Sequence, residues 1–232
     1  ILSNNGAELM WRSETGIDGS PNMTPYESIF HAATTIDENA VFVYGGYPTS
    51  TFGMYYGTQD IPDSEMPGAF LAQLTMSDGG REEVSFTEIA SGALWPQTAF
   101  HTMTPLTDPL DGERIHDVLV LGGAATKHTG GAAGLLNSTG VAKMVRFSRE
   151  SNGRFTVTNT DLTGDASPYI DRYGHQATRL MDGTILVTGG ISGPADTTVE
   201  PTVVWQAEIY NPSSPIETLF SITNVIDECP TE

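Results

Sequence analysis

The chain has one cysteine in 232 residues, Cys229, so no disulfide can form within it and a disulfide-stapled scaffold is excluded. Basic residues are scarce too. Ten Lys and Arg stand against 29 Asp and Glu, a formal charge of −19, and Lys127 and Lys143 are the two lysines. So acidic a surface repels phosphate backbones, which argues against a nucleic-acid partner. No apolar run approaches the roughly 20 residues that a membrane-crossing helix needs. No segment shows the 3.6-residue apolar period of an amphipathic helix. The first residue is Ile1, with no charged-then-apolar segment at the start, so this boundary reads as a processing or trimming site.

What the chain does have is turn chemistry. With 25 Gly, 14 Pro and 38% apolar residues, it reads as many short elements joined by turns. Its acidic, lysine-poor, Thr/Ser/Gly-rich composition is common in exported proteins and points to a secreted or cell-surface location. Asn22-Met-Thr24 and Asn137-Ser-Thr139 match the glycosylation triplet, a pattern that arises often by chance.

The organising feature is a repeat. His31-Ala-Ala-Thr-Thr35 is followed by Ala40-Val-Phe-Val-Tyr-Gly-Gly46. His101-Thr-Met-Thr-Pro105 is followed by Asp117-Val-Leu-Val-Leu-Gly-Gly123, and His175-Gln-Ala-Thr-Arg179 by Thr184-Ile-Leu-Val-Thr-Gly-Gly190. From the histidine to the first glycine is 14 residues in the first and third copies and 21 in the second, where Asp108-Pro-Leu-Asp-Gly-Glu113 expands a turn. Two further strand patterns follow each Gly-Gly, around residues 69–74 and 83–87, 141–147 and 154–158, and 205–210 and 216–222. Each unit therefore reads as four short antiparallel strands, and the fold class as all-β. The apolar runs 41–44, 118–121 and 185–187 are continuous rather than alternating, which predicts burial on both faces between stacked sheets. The pairs Gly45 and Gly46, Gly122 and Gly123, and Gly189 and Gly190 permit a sharp exit and close backbone approach at the strand end.

His-Ala-Ala-Thr, an apolar strand closing in Gly-Gly, and Ala207-Glu-Ile-Tyr-Asn-Pro212 together resemble the Kelch repeat of galactose oxidase-type β-propellers, over roughly residues 27–225. The resemblance implies a Kelch-type β-propeller segment of four-stranded blades at 27–95, 96–167 and 168–225, followed by a tail at 226–232. Residues 1–26 read as outer strand material of a preceding blade plus a linker. Closed propellers have four to eight blades, so three units imply an incomplete ring. The remaining blades are expected from the same precursor or from another chain; two such chains closing a ring is one solution, with the isolated chain then prone to associate. The resemblance also places the histidine strand innermost and the loops after Gly-Gly on a ligand-binding face.

His31, His101 and His175 sit at equivalent positions, and their repetition favours a structural role over a metal or proton-transfer site. His116 and His128 fall outside the pattern and are expected at the surface. A copper-radical oxidase needs a cysteine linked to tyrosine within the propeller. Cys229 lies beyond the last strand pattern, so no cofactor is assigned. The loop at 47–65 concentrates aromatics, and Tyr47, Tyr55 and Tyr56 are the candidates for protein or carbohydrate contact. By the same resemblance Arg172 stands where Kelch repeats often carry an arginine near the channel mouth, which makes it a further ligand-contact candidate, with pairing to Asp171 or another acid as its competing role. Asp60, Asp63 and Glu65, like Asp108, Asp111 and Glu113, match no calcium loop and read as solvated turns. The expected function is a non-catalytic recognition or scaffold module binding protein or carbohydrate. The alternatives are part of an enzyme propeller (hydrolase, epimerase or oxidase) and an architectural spacer.

Overall fold

The computed structural model describes residues 2–5, 8–11, 28–48, 68–76, 82–89, 98–108, 112–125, 138–193, 201–215 and 219–223. Within them the chain is all-β, with a single 3-10 turn at Gly164–Ala166. No helix among the described residues is long and apolar enough to cross a membrane.

Twelve strands form three four-stranded antiparallel sheets, each a meander in chain order. Sheet I holds β1 (Ala32–Asp37), β2 (Ala40–Tyr44), β3 (Ala69–Met76) and β4 (Glu82–Glu88). Sheet II holds β5 (Thr102–Pro105), β6 (Ile115–Leu121), β7 (Ala142–Arg149) and β8 (Phe155–Asp161). Sheet III holds β9 (Gln176–Arg179), β10 (Ile185–Thr188), β11 (Ala207–Tyr210) and β12 (Phe220–Thr223). Turn residues set these registers. Asp182 Oδ1 accepts from Thr184 N–H at 3.0 Å while Gly183 takes φ +87°, which closes the β9–β10 turn. Asn152 Oδ1 does the same for Arg154 N–H at 2.8 Å, closing β7–β8, as expected of Asx side chains that mimic a backbone turn. The Glu8–Trp11 segment, read from sequence as outer strand material, pairs with Leu2–Asn5 in a small hairpin.

The sheets stack face to face through two cores. Phe42, Tyr44 and Leu71 of sheet I meet Val118, Val120, Val145 and Phe147 of sheet II, with the Phe42 and Phe147 rings 5.0 Å apart. Leu119, Leu121 and Ala142, on the other side of sheet II, meet Ile185, Val187, Tyr210 and Phe220 of sheet III. Sheet II is thus covered twice, and 118–121 are buried without a break. The expectation of two-sided burial fails for the other two second strands. Val41 and Val43 in β2, and Leu186 and Thr188 in β10, are only half-buried between buried neighbours. The reason is positional: among the described residues a sheet packs on one side only of sheets I and III, so their second strands show the alternation of a one-faced strand.

His116, expected at the surface, is buried. It shares a sheet face with Val118 and Val120, because side chains two apart on a strand point the same way, and so it enters the sheet I–sheet II core. His128 lies outside the described residues.

Candidate functional site

Each sheet ends at the same place in a repeated device. Backbone just before the histidine pairs with backbone just after Gly-Gly: Ser28–Ile29 with Tyr47–Pro48, Thr98–Ala99 with Ala124–Ala125, and Tyr173 with Ile191. The residue immediately before each histidine is left-handed, at φ +59° for Phe30, +58° for Phe100 and +63° for Gly174. That conformation is strained for phenylalanine, but it aims the backbone between sheets. Phe100 N–H donates to Phe30 O at 3.2 Å, and Gly174 N–H donates to Phe100 O at 2.9 Å. The Phe30 and Phe100 rings stack at 4.3 Å.

The two glycines of each pair have different duties. The second is crowded by its own unit in every copy: a Cβ on Gly46 would lie 2.6 Å from Ile29 O, and one on Gly190 would lie 2.9 Å from Tyr173 O. The first faces the next sheet. A Cβ on Gly45 would overlap Thr98 O and sit 2.8 Å from His101 Cε1; on Gly122 it would overlap Arg172 O and sit 2.7 Å from His175 Cε1. Gly46 N–H donates to Thr98 O at 2.9 Å and Gly123 N–H to Arg172 O at 2.8 Å. His101 and His175 are therefore lids on the first glycine of the unit before each, Gly45 and Gly122.

This packing determines the state of the rings. His101 is buried and lies edge-on to Tyr44 at 4.9 Å. Burial, and then the nearness of His175 and His31, lower its pKa to about 3. His175 donates to or accepts from Thr102 Oγ1 at 2.9 Å through Nε2. Burial and then the Arg172 charge lower its pKa to about 4. Both rings are neutral at physiological pH. His31 is exposed and its Nδ1 lies 3.2 Å from Ser28 O. Among the described residues no three His, Cys, Asp or Glu side chains come together as metal ligands.

Arg172 is buried. Its Nη1 donates to Gly189 O at 3.0 Å and to Gln206 O at 3.1 Å, and its Nη2 donates to Glu208 Oε2 at 2.5 Å. Glu208, also fully buried, takes Tyr169 N–H at 2.6 Å on its other oxygen. Thr98 stands at the same point of the second unit, three residues before its histidine, and its hydroxyl likewise reaches the first-glycine carbonyl, Gly122 O, at 3.3 Å. Arg172 thus does for sheet III what Thr98 does for sheet II. Of the loop tyrosines, Tyr47 lies in the short ladder described above. Tyr55 and Tyr56 lie outside the described residues, as do Asp60, Asp63, Glu65 and Asp111.

At the opposite end of the sheets is a feature that the sequence reading missed. A cleft of about 370 Å³ opens between the β1–β2 turn, the segment before β6 and the β7–β8 turn. Asp37, Glu113, Arg114, His116 and Arg149 are among its lining residues, and Arg149 Nη1 donates to Asp37 Oδ2 at 2.7 Å. Face parity with Val118 was the signal that could have placed His116 there.

No known protein family matches the chain, and no curated protein matches it either.

Proposed function

We propose that the chain is a Kelch-type β-propeller segment acting as a non-catalytic recognition or scaffold module, exported or at the cell surface, that binds a protein or carbohydrate through the loops beside its Gly-Gly pairs. One observation carries this reading. The three sheets stack with the same inter-sheet hydrogen bonds, Gly46 to Thr98 and Gly123 to Arg172, as successive blades of a radial array do. The residues directly after each Gly-Gly pair, Tyr47–Pro48, Ala124–Ala125 and Ile191–Ser192, lie at the same end of their sheets. His101, His175 and Arg172 at that end are accounted for by packing: all three are buried, the two rings over Gly45 and Gly122 of the preceding unit and Arg172 on the Gly189 carbonyl. Recognition then falls to the loops, and the aromatic-rich stretch 47–65 offers the apolar area and hydroxyls that sugar rings use.

The net charge of −19 favours neutral over acidic partners. The test is capture of the chain on a panel of immobilised neutral oligosaccharides, with Tyr55→Ala/Tyr56→Ala beside the unsubstituted protein. The double variant should keep its β circular dichroism and bind about 10-fold more weakly or worse. Equal capture by both proteins removes the loop from the reading. Cleavage of an oligosaccharide by the unsubstituted chain moves the protein to the enzyme class.

A further inference from the structure

We propose that the outward face of sheet III docks sheet I of a second copy of the chain, so that two chains join head to tail. The inference rests on sheet stacking alone and is independent of any ligand.

The outward face of sheet III carries the same cross-strand row as faces that are already covered. In sheet I the row is Thr34–Phe42–Leu71–Thr87, and in sheet II it is Thr104–Leu119–Met144–Thr160. In sheet III it is Thr178–Leu186–Ile209–Ser221. In the first row Phe42 and Leu71 are buried in the core with the following sheet, and in the second Leu119 is buried with Met144 packed against the same core. In the third, Leu186 and Ile209 are only half-buried, and Thr178 is exposed where Thr104 is buried and Thr34 half-buried. The glycine pair tells the same story. A Cβ on Gly189 would meet nothing within 4 Å among the described residues, where Gly45 and Gly122 each lie beneath a histidine of the next unit.

The other end of the same chain offers what this face lacks. His31 is exposed, whereas His101 and His175, packed over Gly45 and Gly122, are 6% and 7% exposed. Phe30 is 44% exposed yet held at φ +59°, the conformation in which Phe100 bonds across a seam. The outward face of sheet I carries the half-buried Val41 and Val43, at the positions of Val118, Val120 and Ile185, Val187, which cover the preceding sheet in the two existing seams. The geometry of those seams, carried over, has Gly190 N–H donating to Ser28 O of the second copy. Phe30 N–H of that copy donates to Gly174 O, and its His31 ring closes over Gly189. Gln176, at the position of Thr102, faces that ring. Such a contact is heterologous: it yields a closed ring if the rotation fits and an open chain of copies if it does not. Because each copy carries −19, salt should strengthen the association by screening repulsion.

Sedimentation of the 232-residue chain over a range of concentration and salt tests this. The expected result is a dimer or longer head-to-tail species that grows with salt. Gly189→Ala at one end and exposed His31→Ala at the other should each weaken association about 10-fold or more. Mixing the two variants should restore a single-seam dimer, because each supplies the end that the other has lost. A chain that stays monomeric at every concentration overturns the proposal and gives the face to a different occupant. Association that neither variant alters overturns it as well. Should Gly189→Ala fail to fold, His31→Ala alone decides.

Discussion

The seam between sheets II and III and the outward face of sheet III present the same kind of surface under opposite conditions. On the first, Leu119 and Leu121 are buried and Gly122 lies beneath His175. On the second, Leu186 is half-buried and Gly189 has open space above it. The strand chemistry and register are shared, so burial in this molecule is a property of the neighbour and not of the strand. A blade-like unit cannot bury its own apolar faces, which is why such units occur in stacks.

The comparison can be broken first at its cores. Phe147, fully buried between sheets I and II, should cost about 3–5 kcal/mol when replaced by alanine, as large core truncations do. Leu186→Ala on the open face should cost about 1 kcal/mol, since less area returns to water. Urea denaturation of both variants measures the gap, and equal losses would mean that the face is already covered in the isolated chain.

The glycine pair offers a second, smaller contrast. Gly122→Ala combines a left-handed backbone, φ +61°, with overlap on the Arg172 carbonyl, and should cost about 3 kcal/mol. Gly189→Ala bears only the backbone term, φ +68°, or about 1 kcal/mol. Thermal denaturation at a concentration too low for association separates the two.

Acid should weaken the closed seams selectively. The unfolded chain protonates its histidines near pH 6.5, while folded His175 resists until about pH 4 and His101 until about pH 3. Between those limits the unfolded state binds more protons, so stability falls as pH drops. The loss is fully absent above pH 6.5, and for His175 alone it reaches on the order of 3 kcal/mol by pH 4. His101→Gln/His175→Gln should flatten that slope in pH-dependent urea titrations. The smallest effect belongs to the exposed Arg146–Asp117 pair, 2.7 Å apart with Arg146 half-exposed. Arg146→Ala should cost less than about 1 kcal/mol, and 0.5 M-range salt should erase part of it.

Local pattern made much of this legible. The turns at Asp182-Gly183 and Asn152-Gly153, the four-strand order and the three Gly-Gly ends are all short-range signals, and each appears where the sequence puts it. Gly174 even marks the left-handed position before a histidine. Phe30 and Phe100 hide that position in the other two units, because nothing in a phenylalanine announces φ near +58°. The candidate site was harder. Arg172 was read as a ligand contact with a competing acid partner, and its partner in the fold is Glu208, 36 residues away. Lys143, buried with Asp161 as its partner, was not singled out at all. In both cases the clue was parity: Glu208 shares a face with Tyr210, and Lys143 with Val145 and Phe147.

By itself the sequence determined strand, turn and register, since these follow from alternation, Asx turns and glycine conformation over a few residues. Only the tertiary structure decided which identical-looking faces are buried, which histidine is a lid and which is exposed, and where Arg172 spends its charge. Those outcomes depend on what lies across a seam, and a residue carries no local record of its neighbour in the next sheet.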